Sequence, residues 1–207
     1  MKKSLYVSII AIIAICSCNP LTNYHDEKRI ADSIRIADSI LLSQSTDTNK
    51  GQIWRSPKYH YTVEIPKDYK IVPATGANVD FKVENNYGSI VIVVKQFPPE
   101  LQQELVGRTI FDLLGDLDSY EKEYIQGASE FMSNPKFVKS GKTTVGGISA
   151  YWMDFTTNDA TGEMIIYNKM YQFISKSLLF TVSLACNQNE LTDYQPVWLR
   201  FINSFNP

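Results

Sequence analysis

The feature that most constrains this chain is a run of four strand-like segments between residues 137 and 185, joined by connections short enough for hairpins. Segments 137–145, 148–156, 164–174 and 178–185 are rich in β-branched and aromatic residues. Between them stand Gly146-Gly147, the stretch 158–162 and Ser175-Lys176-Ser177, all turn chemistry. A parallel crossover needs a dozen residues or more, so consecutive segments have to pair antiparallel as a meander.

Ile90-Val91-Ile92-Val93-Val94 adds a second constraint: five aliphatic residues in a row leave no polar face, so strand 89–94 is covered on both sides. Segment 59–65 alternates, with Tyr59, Tyr61, Val63 and Ile65 on one face, and Pro66 stops it. Segment 80–84 is a further strand, and Asn85-Asn86-Tyr87-Gly88 turns it into 89–94. From about residue 100 the period changes. Leu105, Val106, Ile110, Leu113, Leu114 and Leu117 recur at helical spacing, so a helix lays one side on the sheet, with a bend or break near Gly115. Segment 120–133 is helical in part and is ended by Asn134-Pro135. A closing helix over 193–204 buries Val197, Trp198, Phe201, Ile202 and Phe205, with Pro196 in its first turn. These patterns make residues 53–207 one α+β domain: an antiparallel β-sheet flanked by helices on both faces, an α/β/α sandwich.

The N-terminal part has a different grammar. Lys2 and Lys3 precede an eleven-residue run from Leu5 to Ile15, mostly Ile, Val and Ala, which is too short for a bilayer core that needs about 20 residues. It ends in Ile15-Cys16-Ser17-Cys18, which resembles the lipobox of a bacterial lipoprotein precursor. The resemblance implies a signal peptide over 1–17, cleavage after Ser17, and acylation of Cys18. Cys16 is the competing position, but it would put bulky Ile15 before the cut where Cys18 puts small Ser17. Each buried methylene contributes about 0.8 kcal/mol, so two or three acyl chains hold a protein on a membrane almost permanently. Asn19 after Cys18 is not the Asp of the best-known inner-membrane retention rule, which implies the periplasmic face of the outer membrane.

Residues 18–52 read as anchor and linker. Arg29-Ile30-Ala31-Asp32-Ser33-Ile34 is repeated as Arg35-Ile36-Ala37-Asp38-Ser39-Ile40, and Ile30, Ile34, Ala37 and Leu41 fall at helical spacing. The linker is thus expected to be partly helical, with a polar, aromatic-free stretch over 43–51. The formal net charge of −2 becomes −4 once Lys2 and Lys3 leave with the signal, a balance that gives no footprint for nucleic acid. Of three cysteines only Cys186 stays free in the domain, so no intramolecular disulfide is expected.

The domain resembles the PsbP-like superfamily (PsbP/DcrB-type). The matching residues are Tyr61 and Ile65-Pro66, the run Gly146-Gly147-Ile148-Ser149-Ala150-Tyr151, and Lys169, Tyr171 and Phe173 ahead of Leu178, Phe180 and Val182. Ile202, Ser204 and Phe205 close the pattern. A Trp common after the opening Pro is here replaced by Tyr69. The resemblance implies the sandwich and, for function, a noncatalytic protein-binding or assembly module; chaperone-like relatives imply the alternative, a factor binding hydrophobic segments or acyl chains.

Candidate chemistry is sparse. The two histidines, His25 and His60, make no metal-ligand spacing with the cysteines. His60 and Cys186 are the one conceivable base and nucleophile, and a lone Cys after an apolar strand is more often a packed small residue. Asp112, Asp116, Asp118, Glu121 and Glu123 offer carboxylates for Ca²⁺, but Asp116-Leu117-Asp118-Ser119 lacks the third ligand and the Gly of an EF-hand loop, so solvated helix surface is expected. Gly146-Gly147 has no Lys-Ser/Thr after it and is expected in a turn rather than around a phosphate. Trp54, Trp152 and Trp198 are expected in the core. No catalytic, cofactor or metal site is therefore predicted. The expected partners are membrane lipid through Cys18 and another envelope protein.

Overall fold

The computed structural model describes residues 51–207. The signal, Cys18 and the linker repeat lie outside the described residues.

In chain order the elements are β1 (Gln52–Arg55), β2 (Thr62–Ile65), β3 (Lys70–Ile71), β4 (Val79–Glu84) and β5 (Gly88–Gln96). Three helices follow, α1 (Pro99–Glu104), α2 (Ile110–Leu114) and α3 (Leu117–Ala128). Then come β6 (Ser133–Val145), β7 (Ile148–Asn158), β8 (Ile165–Ser175) and β9 (Leu178–Asn187), a 3-10 turn, and α4 (Leu191–Ser204). β1 and β2 form a two-stranded ribbon; the other seven strands make one antiparallel sheet in the order β3-β4-β5-β9-β8-β7-β6. The architecture is thus mostly antiparallel sheet with a few helices.

The meander from β6 to β9 forms as the short connections require. Gly146 and Gly147 take φ of 56° and 79°, the hand that a two-residue hairpin needs. Lys176 and Ser177 adopt the same hand, φ 49° and 60°, without glycine's freedom. β9 also closes the sheet non-locally by pairing with β5 along its length, from Gly88 opposite Cys186 to Gln96 opposite Leu178. That pairing encloses the aliphatic run: Ile90, Ile92, Val93 and Val94 are all buried.

Strand alternation sends side chains into two separate clusters. Phe180, Val182 and Leu184 of β9 and Phe173 of β8 join Tyr194, Trp198, Phe201 and Ile202 of α4. Leu179 of β9, Met170 of β8 and Tyr151, Met153 and Phe155 of β7 join Ile110 and Leu114 of α2 and Tyr120 and Tyr124 of α3. A five-residue helix is not stable alone. Full burial of Ile110 and Leu114, each contributing about 1.5–3 kcal/mol, is what holds α2 in place.

Several expectations need correction. The strand expected over 59–65 is β2 and begins at Thr62, because His60 turns left-handed (φ 62°) in a loop closed by the Ser56 amide donating to the Tyr61 carbonyl. β1 and the two-residue β3 were not anticipated; both are too short to show a period. The helix read through Leu105 and Val106 is interrupted: α1 ends at Glu104, Val106 is 77% exposed, and Gly107 takes φ +75° before α2 starts. The break at Gly115 does occur. Asn134-Pro135 does not end a helix but lies inside β6, at a register shift between Ser133 and Lys136; an edge strand tolerates the missing N–H. Pro196 sits in the second turn of α4 rather than the first, on its exposed side, and Tyr194 belongs to the buried stripe that Val197 only borders.

Candidate functional site

The flagged groups are mostly engaged in structure. Cys186 is buried at the end of β9, and burial first, then the Glu190 charge, pushes its thiol up to about 12. His60 is exposed in the β1–β2 turn. Asp112 accepts from the backbone N–H and the hydroxyl of Thr109 at 2.7 and 2.9 Å, and these bonds hold its carboxyl below the usual range. Asp116 accepts from the Ser119 N–H at the start of α3. Solvated surface therefore understates both: they are helix caps, and Thr109-x-x-Asp112 was the legible signal. Glu121 accepts from the hydroxyls of Ser140 and Tyr151, tying α3 to the sheet. Among the described residues no group of three or more His, Cys, Asp or Glu is placed to hold a metal, and no helix is long and apolar enough to cross a membrane. Trp198 is fully buried as expected, whereas Trp54 and Trp152 are half-buried at the rim of the α4 cluster.

The charged site that sequence reading missed is a tile on the β6–β7–β8 part of the sheet. Register places Lys139, Asp154 and Lys169 side by side on the three strands, and Gly141, Trp152 and Tyr171 in the next row on the same face. Asp154 is almost fully buried. Its Oδ1 lies 2.8 Å from the Lys169 ammonium, and its Oδ2 accepts the Tyr167 hydroxyl at 2.5 Å. Burial, and then the bond to Asp154, raises the Tyr167 hydroxyl, which keeps it a donor. The Lys169 ammonium also stands 4.0 Å from the Trp152 ring centroid. The indole leans over Gly141, where an added Cβ would come within 2.9 Å of it.

Lys139 completes the row but stays loose, 3.9 Å from Asp154 with its side chain 59% exposed. The tile therefore carries one carboxylate against two ammonium groups, and the surplus charge faces solvent at the β6 edge. α4 packs mainly on β2 and β9 and meets this part of the face through Trp198 stacked on Tyr167, so Lys139 is the exposed member of the row. The alternation of 150–154 and 167–173 could have revealed the grouping; Asp154 was passed over because a strand interior predicts apolar residues.

A shallow hollow of about 260 Å³ lies at the β4–β5 turn, lined by Glu84, Asn85, Tyr87, Ser89, Ile166 and Cys186. The exposed apolar residues Tyr87, Met164 and Ile165 stand near it, linked through Asn187, whose N–H donates to the Tyr87 carbonyl and whose amide contacts the Met164 sulfur.

No protein-family model matches the chain, and no curated protein does. Among solved structures it is similar to cyanobacterial PsbP (CyanoP) from Synechocystis sp. PCC 6803, at 13% identity over 78% of this chain and 96% of that one, with a TM-score of 0.55. Two others are the Ran-binding protein Mog1p of Saccharomyces cerevisiae (6% identity, 77% and 96%, TM-score 0.49) and LpqN of Mycobacterium tuberculosis, described as involved in cell envelope biogenesis (12%, 91% and 100%, TM-score 0.45). The first carries the argument, and it concerns the fold alone: the sheet is PsbP-like.

Proposed function

We propose that the chain is a lipid-anchored protein of the cell envelope whose domain works as a noncatalytic protein-binding or assembly module. The observation that carries the second half is the disposition of the reactive side chains. Asp112 and Asp116 cap helices, Asp154 is saturated by Tyr167 and Lys169, and the Cys186 thiol is buried and protonated. The described surface offers charge, scattered apolar side chains and strand-edge backbone, which suit contact rather than turnover. The first half rests on Lys2, Lys3, the apolar run and Cys18, read as signal and acylation site. The layered α/β/α arrangement belongs to the same proposal and is supported by α4 joining one cluster and α2 and α3 the other.

The alternative, a chaperone-like or maturation factor for hydrophobic segments or acyl chains, is favoured by exposed Tyr87, Met164 and Ile165 beside the hollow. At about 260 Å³ and with Glu84, Asn85 and Ser89 in its wall, the hollow is below the range of roughly 300–1,000 Å³ in which small ligands are enclosed.

Intact mass of the membrane-extracted protein tests the anchor: the expected species begins at Cys18 and carries acyl chains, and Cys18→Ala moves the protein to the aqueous phase. A mature protein without fatty acid ends the anchoring proposal. Cross-linking in intact membranes tests the module, with a stoichiometric protein adduct expected.

A further inference from the structure

We infer that the free edge of β6 is a docking site for an extended, acidic protein segment, which adds to the seven-stranded sheet as an eighth strand. The inference rests on the binding-module reading and names the class of partner.

β6 is the last strand of the sheet and, among the described residues, pairs with β7 alone, so half of its backbone donors and acceptors face outward. It is 13 residues long, whereas the opposite edge, β3, has two. After register shifts at Ser133/Lys136 and Phe137/Lys139 the ladder runs regularly from Lys139 to Val145, enough to template a short strand.

The charge on this strand selects the occupant. Lys136, Lys139 and Lys142 are all exposed, and β6 contains no acidic residue, in a chain whose net charge is −2. The cations serve both faces: Lys139 stands by Asp154 and Trp152, while Lys142 lies 4.8 Å from the Phe111 ring on the α2 side. A second copy of this chain, paired edge to edge, would bring two sets of three lysines onto one seam, and every register that sets them directly opposite is destabilised. An extended segment with carboxylates on both faces satisfies the same ladder and gains from each lysine. Lysines also guard edges against aggregation, so the backbone contribution has to be separated from the charge.

The test uses the full mature protein and a synthetic peptide of about ten residues composed of Glu, Thr and Val, prepared unmodified and with every second amide N-methylated in either phase. The unmodified peptide is expected to bind, with protection of the amides of 140–145 from hydrogen exchange. One methylation phase, and separately Lys139→Glu/Lys142→Glu, should each weaken it at least about tenfold. Equal binding by both methylated peptides would mean charge attraction without strand addition and would overturn the proposal. So would no binding at all, or self-association of Lys139→Glu/Lys142→Glu in a protein that takes no peptide, which would make the lysines guards only. A membrane cross-link found alongside a negative peptide result would leave the module standing and remove this edge as its site.

Discussion

Lys169 and Asp154 face each other directly across β8 and β7, ammonium to carboxylate at 2.8 Å, with the carboxylate buried and the ammonium capped by the Trp152 ring. Removing one member leaves an uncompensated charge, whereas removing both restores neutrality. Asp154→Ala should therefore cost about 3–5 kcal/mol. Asp154→Leu combined with Lys169→Met should cost clearly less than the sum of the single changes. A double-mutant cycle by urea unfolding reads the coupling, and additive losses would mean the pair is not a unit.

Gly141 is small because Trp152 rests on it. Gly141→Val places branched carbons where the indole lies within 2.9 Å of a Cβ, so the ring must leave and Lys169 loses its cover. A loss of about 1–3 kcal/mol is expected, with a red-shifted Trp emission. Unchanged stability and emission would show that the ring does not pack as described.

Cys186 makes an alkaline prediction. Its thiol, ordinarily near 9.0, is pushed up to about 12, so the folded state keeps a proton that the unfolded chain gives up. Its share of stability is complete below pH 9 and falls as pH climbs toward 12. Cys186→Ala should flatten that part of the pH–stability curve. In a Cys16→Ser, Cys18→Ser background, iodoacetamide at pH 8 should modify the native protein far more slowly than the urea-unfolded chain; equal rates would refute the burial.

Asp80 works in the acid range. Burial raises its carboxyl above 3.8, opposed by the neighbouring Ser56 and Tyr61 side chains and by the Lys58 charge. The folded state therefore holds this proton more tightly than the unfolded one, and stability falls as pH rises from 3.8 through the raised value. Asp80→Asn should be more stable than the parent at pH 7 and should lose this slope. A parent whose slope survives the substitution would assign it to another group.

Legibility followed the range of the interaction. The meander was readable because short connections and strand-forming segments are neighbours in sequence, and Gly146-Gly147 marked its first turn. The break between α1 and α2 was half-readable: Gly107 and the Thr109-Asp112 cap mark it, but an apolar spacing that continues through Leu105 and Val106 masks them. The Asp154 tile was not readable as a site, because its rows are assembled by register across three strands.

Local chemistry in the chain determined the antiparallel pairing of β6 through β9, the buried aliphatic strand and the closing amphipathic helix, since each depends on residues a few positions apart. Tertiary structure alone decided that β5 joins β9, which places β3 and β4 beyond β9 and leaves β6 with its exposed lysines at the opposite edge. The physical reason is that strand order depends on long-range burial: the gain is common to every apolar strand, and only packing in three dimensions selects the neighbour.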